Sequence, residues 1–115
     1  MKQKNKIKNK EELLDWIEDN FYAYRIEDEE DFFTLQAPRD ASVTVCFEKD
    51  DDIDEIILKT IERLEDFDAD NEFMELWCVD FANHNHFSPS QFIEMLKADE
   101  RTYNNIAHHL REFVD

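Results

Sequence analysis

The chain contains no glycine among its 115 residues, and this limits the backbone conformations and the kinds of site that it can form. Loops that cradle phosphates, dinucleotide-binding turns and the nucleophile elbows of hydrolases all need glycine. In each of them the backbone must approach a ligand closely or adopt a positive φ angle. We therefore expect no nucleotide-dependent enzyme, and because no set of residues in the sequence defines a catalytic site, we expect a non-enzymatic protein.

The length and the apolar content predict one folded domain. A chain of 115 residues can bury a hydrophobic core without disulfides or a structural metal. Hydrophobic residues make up 42% of the sequence and include 10 phenylalanines, which is too apolar for a disordered acidic tail. No stretch approaches the ~18 apolar residues of a membrane span, so we expect a cytoplasmic protein without membrane contact. Cys46 and Cys78 are expected to be free thiols that pack in the fold.

Charge is distributed very unevenly along the chain, whose net charge is −17. Residues 1–10 carry five lysines and no acid, whereas residues 48–75 carry 13 acids and three cations. The sequence therefore predicts a flexible basic arm over residues 1–10 and a single acidic domain over residues 11–115. A body this acidic favours a basic protein surface as its partner and argues against direct binding to DNA.

The periodicity of the apolar residues predicts an α+β fold that begins with a helix and a three-stranded antiparallel meander. Asn9 can cap the first helix, which ends near Phe21. Alternation then predicts three strands whose apolar side chains are buried: Tyr22, Tyr24 and Ile26 in the first, Phe33, Leu35 and Ala37 in the second, and Val43, Val45 and Phe47 in the third. Short turns at residues 28–31 and 38–40 predict that neighbouring strands pair antiparallel.

Four helices are predicted after the sheet, packed on it and on each other. The first carries apolar residues at helical spacing over residues 53–67, and the second covers about residues 72–82. Ser88 and Pro89 mark the start of the third, as a cap followed by proline at the first helical position. Asp99 is predicted to cap a separate last helix.

Two groups of residues suggest metal binding as an alternative. Asp66, Asp68 and Asp70 stand at the first, third and fifth positions of a loop that resembles an EF-hand. Asn71 replaces the glycine of that loop, and Trp77 replaces its bidentate glutamate. The candidate zinc ligands, whose spacing matches no closed tetrahedral pattern, are Cys78, His84, His86, His108 and His109. We therefore predict no metal or other cofactor and keep a metal-binding protein as the second alternative.

The density of negative charge approaches that of a nucleic acid. If residues 48–75 were largely helical, they would span roughly 42 Å, and their excess of ten acids over cations gives about one charge per 4 Å. One strand of duplex DNA presents one phosphate per about 3.4 Å. A folded body with such a face can occupy a groove whose arginines and lysines bind phosphates.

Two acidic segments carry a resemblance to a known class of inhibitors. Glu27–Asp31 reads EDEED and Asp50–Glu55 reads DDDIDE. In these segments, in size and in the order helix, meander, helices, the chain is similar to the DNA-mimic inhibitors of mobile genetic elements such as phages, of the anti-CRISPR or anti-restriction type. The resemblance implies a non-enzymatic inhibitor that binds the basic surface of a CRISPR effector or restriction enzyme and blocks its recognition of DNA.

The predicted partner-binding residues are acids of the hairpin turn and of the central acidic segment. They are Glu27, Asp28, Glu29, Glu30, Asp31, Asp50, Asp51, Asp52, Asp54, Glu55, Glu62, Asp66, Asp68 and Asp70. The first alternative function is a cytosolic adaptor or regulatory module that binds through an apolar patch around Trp77, Phe81 and Phe87.

Overall fold

The computed structural model describes residues 7–39, 41–76 and 88–114, and these residues form an α+β fold. In chain order the elements are α1 (Lys10–Asn20), β1 (Tyr24–Asp28), β2 (Phe32–Gln36), β3 (Ser42–Cys46), α2 (Ile53–Glu65), α3 (Ala69–Leu76) and α4 (Pro89–Val114). The strands form one antiparallel sheet in the order β1-β2-β3. The predicted α+β class and the three-stranded meander are therefore confirmed.

The end of the predicted basic arm contributes to the folded body. Ile7 is buried in the core, while residues 1–6 lie outside the described residues. The Asn9 side chain accepts a hydrogen bond from the backbone N–H of Glu12 at 2.9 Å, so Asn9 caps α1 as predicted. The Glu12 carboxylate in turn accepts from the backbone N–H of Lys8 at 2.9 Å. These bonds fix the point at which the chain enters the first helix.

The central strand β2 pairs with β3 in a regular register, from Phe32 opposite Cys46 to Gln36 opposite Ser42. Alternate side chains of the two strands point to the same face of the sheet. The apolar side chains on that face are fully buried, and they are Phe33, Leu35, Val43 and Val45. Helix α2 packs against both β3 and α4, so the core lies between this face of the sheet and the helices.

Strand β1 presents the opposite face from the one predicted. Tyr22, Tyr24 and Ile26 are 80%, 53% and 50% exposed, whereas Ala23 is buried and Arg25 is half-buried. The expectation that the apolar set is buried is therefore wrong for this strand. The physical reason is that Arg25 binds carboxylates on α1, and a bulge directly after Arg25 shifts the register with β2.

Arg25 joins β1 to α1 through three carboxylates of the helix and also lies near Asp28 of its own strand. Its guanidinium donates to both oxygens of Glu18, at 3.1 and 3.0 Å, and to Glu11 at 2.6 Å and Asp15 at 2.5 Å. Asp28 lies 3.6 Å from the same group. The backbone N–H of Arg25 also donates to Glu18 at 3.0 Å, so a side chain occupies part of the free edge of β1. The hydrogen bonds from Arg25 hold the pKa of Glu18 below its ordinary value.

Helix α2 buries the predicted stripe, which consists of Ile56, Ile57, Thr60, Ile61 and Leu64. It ends at Glu65 and α3 begins at Ala69, so the acidic middle of the chain is not one long helix. The Asp68 carboxylate accepts from the backbone N–H of Asp70 at 3.0 Å, directly before α3. Helix α3 therefore starts earlier than the predicted Glu72, and residues 77–82 of the predicted helix lie outside the described residues.

Helix α4 begins as predicted but continues through the predicted break. Ser88 Oγ accepts from the backbone N–H of Gln91 at 3.2 Å, and the Gln91 side chain accepts from the backbone N–H of Ser88 at 2.9 Å. Pro89 occupies the first helical position. The helix then runs for 26 residues without interruption, so the prediction of a separate last helix capped by Asp99 is wrong.

Asp99 satisfies the β2–β3 turn instead of a helix end. It is fully buried, and its carboxylate accepts from the backbone N–H groups of Arg39 at 3.2 Å and Ala41 at 3.1 Å. One turn further along α4, the Tyr103 hydroxyl donates to the carbonyl of Ala41 at 2.6 Å. Burial, and after it the charge of Asp99, raises the pKa of Tyr103, so its hydroxyl keeps the proton that it donates. Helix α4 thereby holds the end of the sheet at which β2 turns into β3.

Replacing Asp99 with alanine should lower the free energy of unfolding by about 2–4 kcal/mol, because two turn amides lose their acceptor in a buried site. Urea denaturation followed by circular dichroism measures this loss. Glu94→Ala, an exposed substitution on the same helix, should change stability by less than about 0.5 kcal/mol. A wild-type stability for Asp99→Ala would show that the turn does not depend on this carboxylate.

Replacing Glu18 with glutamine should destabilise the fold at neutral pH by about 1–2 kcal/mol, since the charge-assisted bonds to Arg25 are weakened. The pKa of Glu18 is lower in the folded chain than its ordinary value of 4.5, so this stabilisation is present above that pH. It is lost as the pH falls through the lowered pKa, and the two proteins should then converge in stability. Urea denaturation between pH 7 and pH 3 tests this, with the exposed Asp19→Asn as control. A pH-independent difference would contradict it.

Candidate acidic interface

The meander brings the two acidic segments to the same end of the sheet. The β1–β2 turn and the loop from β3 to α2 both leave the sheet there, because successive strands run in opposite directions. The backbone N–H of Phe47 donates to the carbonyl of Asp31 at 2.9 Å, and Lys49 Nζ lies 3.1 Å from a carboxylate oxygen of Glu30. We call residues 27–31 and 48–55 together the acidic end.

Two lysines neutralise part of the charge on the hairpin turn. Lys10 Nζ lies 2.5 Å from the Asp28 carboxylate, donates to the carbonyl of Glu29 and sits 5.5 Å from the centre of the Phe47 ring. Lys49 reaches the same turn from the opposing loop, but its pair is 74% exposed on the lysine side and is therefore weak. Lys49 therefore joins the two segments, Lys10 ties the hairpin turn to α1, and the acidic end keeps a net negative charge.

Asp51 holds the loop against α2. Its carboxylate accepts from the backbone N–H of Glu48 at 2.9 Å and from Lys59 Nζ at 2.5 Å. The hydrogen bond from Lys59, followed by that from Glu48, lowers the pKa of Asp51, and the same pair raises the pKa of Lys59. Both groups therefore stay charged in the folded protein, and this carboxylate serves the fold.

Asp52 and Glu55 form a capping box at the start of α2. The Asp52 side chain accepts from the backbone N–H of Glu55 at 2.9 Å, and the Glu55 side chain accepts from the backbone N–H of Asp52 at 3.4 Å. Asp54 lies in the same turn, where a negative charge is stabilised by the helix dipole. The helix start therefore gathers three acids at the acidic end at little electrostatic cost.

Five carboxylates of the acidic end are exposed and form neither an ion pair nor a side-chain hydrogen bond with a described residue: Glu29, Asp31, Glu48, Asp50 and Asp54. Glu27 is also exposed, and it accepts from the Thr34 hydroxyl at 3.3 Å on the outer face of the sheet. These groups are the ones that are available to a basic partner. The backbone around these carboxylates is fixed by the sheet, by the hydrogen bonds of Asp51 and by the capping box. The positions of the carboxylates are therefore set before any partner binds.

The remaining predicted residues lie away from the acidic end. Glu62 is exposed near the end of α2, and Asp66 follows at the end of that helix, 13 residues or about 20 Å from its start. Asp68 and Asp70 belong to the start of α3. The structure therefore brings together Glu27–Asp31 with Asp50–Glu55 and leaves these four residues on another part of the surface.

The residues named for the metal and adaptor alternatives either form no metal site in the described part of the chain or lie outside it. In that part of the chain, no group of three or more histidine, cysteine or acidic side chains is placed to hold a metal ion. Cys78, His84 and His86 lie outside it, as does the apolar patch predicted around Trp77, Phe81 and Phe87. Cys46 is an exposed free thiol on β3, so the expectation that it packs in the core is wrong.

Sequence reasoning missed three lysines that shape the acidic end. Lys10 falls within the predicted basic arm, and the pairing of Lys59 with Asp51 spans the end of a loop and two turns of helix. Lys49 stands between acids in the sequence EKDDD. This position is the one indication in the sequence that a cation lies within the acidic end. The other two follow from how the chain folds back on itself.

No family model matches the sequence, and the searches of curated proteins and of solved structures return no match either. Within the described ranges, the helices are too short or too polar to cross a membrane. The interpretation of the acidic end therefore depends on the geometry and charge of this chain's own residues.

Asp52→Ala should lower the free energy of unfolding by about 1 kcal/mol, because the first turn of α2 loses its cap. Asp54→Ala, which removes an equal charge in the same turn without a cap bond, should cost less than about half of that. Thermal unfolding of the two variants measures the difference. Equal losses would show that the capping box contributes nothing beyond charge at the helix start.

Proposed function

We propose that this protein is a non-enzymatic inhibitor that binds the basic groove of a nucleic-acid-binding protein through its acidic end, in the place of phosphates. The observation that carries the proposal is the junction of the two acidic segments, marked by the bond between Phe47 and Asp31. The resemblance to DNA-mimic inhibitors points to a guide-loaded CRISPR nuclease as the target, with a restriction enzyme as the other member of the same class.

The energetics of the acidic end favour such a partner. Carboxylates that repel each other on one surface raise the free energy of the unbound protein, and a docked cationic groove relieves that repulsion. The free carboxylates lie on the β1–β2 hairpin turn and around the first turn of α2. Because the backbone is ordered there, little conformational entropy is lost when a partner binds them. Long-range attraction between such surfaces also speeds association, and it falls as salt screens the charges.

The acids of the acidic end divide into those that hold the fold and those that are free to bind a partner. Asp51, Asp52 and Glu55 hold the loop and the start of α2, so reversing their charge would disturb the fold together with the surface. Glu29, Asp31, Asp50 and Asp54 carry no such bonds through their side chains. They are therefore the residues whose substitution separates binding from stability.

The test combines affinity capture with competition. A partner captured from host lysate on the immobilised protein should elute with increasing salt, and saturating protein should lower the DNA affinity of that partner at about 0.1 M salt. Changing Glu29, Asp31, Asp50 and Asp54 to lysine should weaken the competition at least about a hundredfold, because four close charges are reversed.

The matched control reverses four exposed acids away from the acidic end: Asp19, Asp70, Glu75 and Glu94. It has the same net charge as the test variant, so long-range attraction to the partner is reduced equally in both. The control variant should therefore compete within about threefold of the wild type. Equal loss in both variants would show that total charge, and not the acidic end, determines binding. Unchanged DNA affinity of the captured partner would remove phosphate mimicry as the mechanism.

A further inference from the structure

The outer edge of β3 carries backbone groups that no described residue binds. The N–H of Phe47 donates to the carbonyl of Asp31, and the N–H of Ala37 donates to the carbonyl of Ala41, both at 2.9 Å. Antiparallel strands alternate between residues that bond to the neighbour and residues that point away from it. The intervening bonded residues of β3 are therefore Val43 and Val45. The N–H and carbonyl groups of Ser42, Thr44 and Cys46 point away from β2, to the open side of the sheet.

The two edges of this sheet are treated differently. On β1 the Glu18 carboxylate occupies the N–H of Arg25, a bulge interrupts the register, and charged side chains line the strand. These are the devices by which proteins prevent strands from adding to an edge. Strand β3 has none of them, because its sequence SVTVC contains no charge and no proline and its register with β2 is regular. Its edge is therefore suited to the addition of a strand.

A groove runs beside this open edge, and two acidic side chains stand on one of its walls. The groove has a volume of about 550 Å³ and lies between β3 and α2, with Glu62 and Asp66 on its helical wall beside Lys59 and Arg63. Lys59 is bound to Asp51, so its charge is already matched. Beyond Cys46 the chain passes directly into the acidic end, so a segment lying along β3 would reach those carboxylates.

We propose that β3 binds an extended segment of the partner protein as an added strand, and that this segment carries lysine or arginine at alternate positions. The backbone of Ser42, Thr44 and Cys46 would supply the hydrogen bonds, and the acidic end would select the basic side chains. A second copy of this chain fits the edge less well because it would bring another net charge of −17 to the contact. This inference rests on the proposed function, since the partner's basic character comes from there.

Amide hydrogen exchange by NMR on the full chain tests the edge directly, with a ten-residue peptide that alternates lysine and threonine as the probe. In the free protein, the amides of Thr44 and Cys46 should exchange at least about tenfold faster than those of Val43 and Val45. The peptide should slow exchange at Ser42, Thr44 and Cys46 at least about tenfold. A peptide of equal charge, N-methylated at every residue, should produce no such slowing because neither of its edges can complete the ladder.

Thr44→Pro separates the edge from the acidic end. Proline is tolerated where an edge N–H faces solvent, so this variant should fold, whereas Val45→Pro should unfold because it removes a bond to β2. Thr44→Pro should lose at least about tenfold in affinity for the unmodified peptide and bind the N-methylated peptide as the wild type does. The variant with lysine at Glu29, Asp31, Asp50 and Asp54 should bind both peptides more weakly.

Two results would overturn the inference: equal protection of Thr44 and Cys46 by both peptides, or protection that depends on protein concentration without any peptide. The second result would identify a self-associated dimer as the occupant of the edge. Loss of peptide-dependent protection in Thr44→Pro, together with unchanged binding by the acidic-end variant, would support strand addition at β3 but contradict both the proposed function and the selection of basic side chains by the acidic end. The two proposals therefore fail by different measurements.

Discussion

Repulsion between carboxylates is the constraint on which the rest of this structure depends, because the chain must fold with a net charge of −17. The fold meets it in three ways. Arg25 gathers four acids around one guanidinium, Asp99 turns a buried acid into the acceptor for a backbone turn, and Asp52 with Glu55 places charge where the start of α2 stabilises it. Among the acids without such roles, Glu29, Asp31, Asp50 and Asp54 lie together at the acidic end. We interpret that group as the functional one.

The parts of the fold that were predictable from the sequence are those with a local signal. Alternation at Val43 and Val45, the helical stripe of α2 and the caps at Asn9 and Ser88 each involve residues a few positions apart, and all were found in the structure. The orientation of β1 was not predictable, because Arg25 is held by carboxylates that lie 7 to 14 positions away. The role of Asp99 was not predictable for the same reason, since its carboxylate binds the backbone N–H of Ala41, 58 positions away.

The candidate site shows the same division. Short turns predict a meander, and a meander places its first turn beside the loop that follows its third strand, so the junction of Glu27–Asp31 with Asp50–Glu55 follows from topology. The separation of Asp66, Asp68 and Asp70 from that surface depends on where α2 ends, which the charge pattern does not reveal. The open edge of β3 has no sequence signature of its own. The edge can be recognised only once the structure shows which side of β3 is hydrogen-bonded to β2.

The central claim is that residues 27–31 and 48–55 act as one surface, and NMR titration of the protein with pentalysine tests it most directly. Backbone amide shifts of the hairpin turn and of the loop before α2 should change together and share one titration midpoint. That midpoint should move to higher peptide concentration as salt is added. Amides around Asp66 to Asp70 should shift less. Different midpoints for the two segments, or larger shifts at the start of α3 than at the acidic end, would contradict the account.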